Sequence, residues 1–116
     1  MVDAEIRTAI ADSDLVAERE FEMIDPSGNA GTLHVRVARP VVHEADGSWS
    51  CGLHLPEVED EVHDYWGEDS MQALVHALYI IPVLLMQLRR DGFQLTFFGH
   101  EELLLAEFEL PGASLG

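Results

Sequence analysis

The 116-residue sequence contains no lysine and a single cysteine, Cys51. One cysteine excludes an intramolecular disulfide, and the expected location is therefore the reducing cytoplasm. The opening residues, MVDAEIRTAIADSD, carry acids early and hold no apolar run of seven, which argues against a secretory signal peptide. The longest apolar stretch, Leu74 to Met86, is interrupted by His76 and falls short of the roughly 20 residues a bilayer demands. No membrane span is expected.

Without lysine, all six basic residues are arginines, and they face 22 acids for a formal charge of −16. Such a surface repels phosphate, so nucleic acid and anionic membrane are excluded as partners. Three sources of the acidity remain open: solubility combined with the arginine bias of a GC-rich genome, a salt-adapted host, or a basic partner.

Motifs are also few. There is no HExxH, no H-x-H and no zinc-type Cys–His spacing. No serine sits in a G-x-S-x-G elbow. The stretch DPSGNAG (25–31) has two glycines but no following helix and no lysine, so it is a turn and not a phosphate loop. The densest group of potential metal ligands is His54, Glu57, Glu59, Asp60, Glu61, His63 and Asp64. A charge run beside a strand end is ordinarily a solvated loop, so no metal or other cofactor is expected. Should a metal bind, His54, Glu57 and His63 are the candidate ligands. No acid or nucleophile lies three or four residues from His76, so it has no catalytic partner on its helix.

What is present is a globular composition, 47% hydrophobic and 24% charged. The length fits one domain, residues 1–116, able to bury roughly 65% of its unfolded surface. Residues 3–12 could form a short helix with Ile6, Ala9 and Ile10 on one side, the alternative for residues 1–14 being a flexible N-terminus; residues 112–116 predict a flexible tail. LVAEREFEMI alternates Phe21 and Met23 with Glu18, Glu20 and Glu22, the period of a half-buried strand. TLHVRVARPVV turns Leu33, Val35 and Val37 inward, and Pro40 ends it or holds it at an edge. After the Asp46-Gly47 turn, Trp49, Cys51, Leu53 and Leu55 share one face; Ser48, Ser50, Gly52 and His54 share the other, outward one. Cys51 is thus an inward, inert thiol. The acidic stretch EVEDEVHDYWGED predicts an exposed connection or one short edge strand.

Asp69 and Gln72 open a helix near Ser70, and Gly92 closes it. Met71, Leu74, Val75, Leu78, Ile81, Leu85 and Leu88 form the expected core stripe. FQLTFFG and residues 103–110 read as returning strands. The expected fold is α+β: an antiparallel β-meander of four to five strands with one long α-helix packed on one sheet face. Ala73, Ala77, Ile80, Val83 and Leu84 lie beyond the arc that one sheet face covers. A helix apolar nearly all round needs a second neighbour: the N-terminal segment, a second copy of the chain, or another protein. These five residues are the candidate interface, and a homodimer is the expected assembly.

Trp49 and Cys51, followed by Gly67, Asp69, Ser70, Gln72, Ala73 and Leu74, resemble the pattern of a family of small bacterial proteins classed only as a domain of unknown function. That pattern is a Trp-x-Cys strand, a connection, then Gly-x-Asp-Ser-x-Gln-Ala-Leu opening a long helix. The resemblance covers residues 15–98 and implies a fold more than an activity. Two functional readings follow. The first is a non-enzymatic, soluble protein-interaction domain, in its sharpest form an immunity-type binder of a basic toxin. The alternative is a metal-dependent or hydrolytic enzyme using the His54–Asp64 cluster.

Overall fold

Alternation of Phe21 and Met23 with glutamates makes β1 (Leu15–Ile24) a strand with one wet face, and the computed structural model, which describes residues 7–103, shows that alternation from Glu18 onward, after a register shift between Leu15 and Ala17. β1 pairs antiparallel with β2 (Ala30–Ala38). Asp25 closes the turn between them: its Oδ1 accepts from the backbone N–H groups of Ser27 and Asn29, both at 2.9 Å, and Gly28 supplies the left-handed residue at φ +91°. Pro40 then interrupts the ladder. β3 (Val41–Val42) resumes it, so β2 and β3 pair with successive parts of β4 (Trp49–His54). β5 (His63–Gly67) pairs along the other side of β4.

The helix α1 (Ser70–Arg90) crosses the sheet to β6 (Gln94–Thr96), which pairs with the end of β1 at the far edge. The fold is α+β: among the described residues, six antiparallel strands and one long helix against them. The six exceed the expected four to five because Pro40 splits one strand and the acidic connection supplies β5.

α1 begins as its sequence predicts. The Asp69 carboxylate accepts from the Gln72 backbone N–H at 2.7 Å, and the Gln72 side chain accepts from the Glu68 backbone N–H at 2.7 Å. Gly92, at φ +103°, ends it. Its phase differs from expectation. The buried positions are Ala73, Ala77, Ile81 and Leu85, whereas Met71 is 73% exposed. Leu74, Leu78 and Leu88 pack at the margins of the core. At 21 residues and mean hydropathy 1.7, α1 is long and apolar enough to cross a membrane, contrary to the reading of its uninterrupted run as too short. That composition reflects two apolar faces, one on the sheet and one outside.

The core lies between α1 and the sheet, around Phe21, Leu33, Val35, Val37, Cys51, Leu53 and Leu95. The opposite face of β4 is not open to water as expected: Ser50 and His54 are 1% and 4% exposed. Residues 7–11 run over it without helical structure, and a single 3-10 turn follows at Asp12–Asp14. The Val62 N–H donates to the Arg7 carbonyl, Arg7 pairs with Asp64, and Ile10, Ala38 and Val62 form a small second core. Residues 7–11 therefore cover the sheet. The expected helix over 3–12 is absent from residues 7–11, and its remaining residues up to 6 lie outside the described residues. So do the expected strand over 103–110, beyond Leu103, and the tail at 112–116.

Candidate functional site

Past His54, the chain leaves β4 through Leu55 and Pro56 and turns where the N–H groups of Val58 and Glu59 donate to the Leu55 carbonyl. It returns as β5. Opposite this connection, the C-terminal half of α1 presents Leu84, Gln87 and Leu88, and Phe93 follows the Gly92 reversal. Between the two lies a cleft of about 570 Å³, within the usual size of small-molecule and side-chain pockets. Its floor is apolar: Leu53, Leu55, Val58, Leu84, Leu88 and Phe93. Its rim is polar: Glu57, Glu59, His63, Tyr65, Gln87 and Asp91. Among the described residues, three carboxylates and no lysine or arginine line it.

The rim groups are held in place. The Glu57 carboxylate accepts from the His34 backbone N–H at 2.7 Å and lies 2.5 Å from His34 Nδ1. His63 Nε2 contacts the Glu59 carboxylate. Burial, reinforced by the Glu59 charge, pushes the Tyr65 hydroxyl pKa up. Asp91 caps the C-terminal end of α1, the negative end of the helix dipole. Carboxylates, helix terminus and apolar floor together make a negative, partly desolvated recess.

A profile of the DUF6968 family, a domain of unknown function, matches residues 17–105, from β1 through β6 with the whole of α1 and the cleft. The chain belongs to this family. Comparison with curated proteins and with solved structures finds no match. The stretch of Arg7 and Ile10 that covers β4 precedes the matched part of the DUF6968 domain.

Within the DUF6968 domain the three candidate metal ligands do not converge. His54 is buried behind the cleft, with Nε2 3.0 Å from the Glu59 carbonyl oxygen. Glu57 is taken by His34, and His63 by Glu59. Among the described residues, no group of three or more His, Cys, Asp or Glu side chains is placed to hold a metal ion. Glu57 and His63 serve the cleft rim instead. Cys51 faces inward as expected: its Sγ lies 3.2 Å from the Ala38 carbonyl, and burial pushes its thiol up to about 11, with Asp64 adding to the effect and Arg7 opposing it.

The candidate interface needs correction. Ala73 and Ala77 are fully buried in the core, because α1 docks by its smallest side chains where Gly67 admits its backbone. Ile80 and Leu84 are half-buried, and Leu84 forms part of the cleft floor. Val83 alone of the five is exposed, at 44%. The outer face of α1 consists of Met71, Tyr79, Val83 and Met86, with Val75 and Pro82 half-buried beside them. An all-round apolar helix signals two faces, but its phase depends on the Gly67 contact, which periodicity does not encode. The cleft's apolar floor had no sequence signal, because Leu55, Leu84 and Phe93 come from three separate segments.

Proposed function

We propose that this DUF6968 domain is a non-enzymatic protein-interaction module whose cleft receives a lysine or arginine side chain from a basic partner. The observation that carries the reading is the cleft lining: an apolar floor beneath Glu57, Glu59 and Asp91, with no lysine or arginine among the described lining residues. Lysine and arginine combine an apolar stem with a charged head, so they match floor and rim together. A net charge of −16 adds long-range attraction for a basic protein and raises its association rate. Neutralising a basic toxin in the cytoplasm, an immunity-type role, is the sharpest form of this reading. Cys51, the one thiol, is sealed and protonated, which favours binding over covalent chemistry.

Amide chemical-shift mapping tests the proposal with two short peptides, acetyl-Leu-Arg-amide and acetyl-Leu-Glu-amide. The arginine peptide should shift resonances around Leu55, Leu84 and Phe93 saturably, and the glutamate peptide should not. Leu84→Arg, which places a cation in the cleft, should abolish the response. Equal responses to both peptides, or shifts scattered over the acidic surface, would sink the reading.

A further inference from the structure

We infer that two copies of the chain pair through the outer face of α1, antiparallel, about a two-fold axis at Tyr79. This surface is separate from the cleft and does not depend on its ligand. At 3.6 residues per turn, Met71, Val75, Tyr79, Pro82, Val83 and Met86 fall within an arc of about 120° on the side away from Ala77 and Leu88. Met71 is 73% exposed, Met86 53%, Val83 44% and Tyr79 38%. The outer face thus carries an apolar stripe along most of the length of α1.

The stripe is self-complementary. Val75 and Val83 are equidistant from Tyr79, and Met71 and Met86 are nearly so. Turning one helix end for end lays Met71 against the partner's Met86 and Val75 against the partner's Val83, and Tyr79 meets its own copy. That is the isologous contact a two-fold dimer requires.

The charges at the helix ends select the same orientation. Glu68 and Asp69 precede the first turn, and Arg89 and Arg90 close the last. The Arg89 guanidinium donates to the carbonyls of Leu95 and Glu101, which fixes that positive charge at the C-terminal end. Antiparallel pairing brings acids opposite arginines at both ends, whereas parallel pairing would oppose like charges. A basic partner would find no carboxylate along the stripe itself. An anionic lipid surface would be repelled by the net charge of −16.

A contact confined to one helix face should form and separate with concentration. Two chains of charge −16 also repel each other over a Debye length of about 8–10 Å, so added salt should strengthen the dimer.

Sedimentation velocity on the full chain provides the test. At about 500 μM protein in high salt, the mass should approach twice 12.9 kDa and fall on dilution. Val83→Glu and Met71→Glu should each give a monomer with unchanged far-UV circular dichroism. Glu68→Arg and Arg90→Glu should each weaken the dimer at least tenfold, and the double variant should restore it. Glu68 meets the helix start through its backbone N–H, so replacing its side chain leaves the cap intact. A wild-type monomer at the highest concentration in both low and high salt would overturn the inference. So would failure of the charge swap to rescue, or co-sedimentation of a monomer with phosphatidylcholine vesicles.

Discussion

The backbone of Gly67 rests on the backbone of Ala73: a Cβ added at Gly67 would stand 2.4 Å from the Ala73 nitrogen. Gly67 is the last residue of β5 and pairs with Trp49 on β4. Ala73 is in the first turn of α1 and fully buried. This one contact sets how closely the helix lies on the sheet and which of its faces turns inward.

Gly67→Ala should therefore force the helix start outward. Overpacking of this kind costs about 1–3 kcal/mol. In a domain of this size each kcal/mol lowers the melting temperature by roughly 4–8 °C. A thermal melt checks it. An unchanged midpoint would show that the first turn of α1 moves freely over β5.

The phase of α1 gives a paired prediction. Leu85 is 1% exposed and Met71 73%. Leu85→Ala should cost about 2–5 kcal/mol through lost burial and the cavity left behind. Met71→Ala, on the outer face, should stay within about 0.5 kcal/mol in the monomer. Denaturant titration at low protein concentration separates the two, and similar losses for both would mean the helix is turned the other way.

Much of this architecture is legible in the sequence, because it is written in local rules. β1 follows from glutamates alternating with Phe21 and Met23, the start of α1 from Asp69 and Gln72, its end from Gly92. The illegible parts are contacts between distant segments. Serine and histidine at positions 50 and 54 read as solvent-facing, yet both are buried: His43 Nε2 lies 2.8 Å from Ser50 Oγ, His54 Nε2 lies 3.0 Å from the Glu59 carbonyl oxygen, and Arg7 packs over Gly52 between them and reaches Asp64 across 57 positions. Met71 fits a helical core stripe as well as Ala73 does, and only the Gly67 contact decides between them. Glu57 and His63 read as metal candidates by residue type, but His34 and Glu59 already engage them.

Cys51 should be slow to react in the native state. Its thiol is fully buried and its pKa raised to about 11, chiefly by desolvation. A pKa raised by folding favours the protonated form. The stability tied to it is complete below the unfolded cysteine value, about 8.5, and is lost as pH rises from there through about 11. Labelling with a thiol reagent should be orders of magnitude faster in denaturant than in buffer at pH 8. Equal rates would place the thiol at the surface.

Acid should loosen the β1–β6 edge through Glu22. Its carboxylate accepts from the Thr96 hydroxyl at 2.5 Å and from the Gly99 N–H at 2.9 Å, tying β6 and the following turn to β1. That turn holds Phe98 at φ +51° and Gly99 at φ +81°, so it relies on outside bonds to keep its shape. The Thr96 hydroxyl first, then the Gly99 N–H, hold the Glu22 pKa below the usual glutamate range, against a small opposing effect of burial. A pKa lowered by folding contributes stability that is complete above the unfolded value, about 4.3, and is lost as pH falls through the lower folded value. Glu22→Gln removes the charge at every pH. The gap in protection of the Gly99 amide between wild type and Glu22→Gln should therefore be wide at pH 6 and close as pH falls below 4. Hydrogen exchange measured across that range checks it. A gap that stays constant would show that the Glu22 side chain holds the turn by its shape and not by its charge.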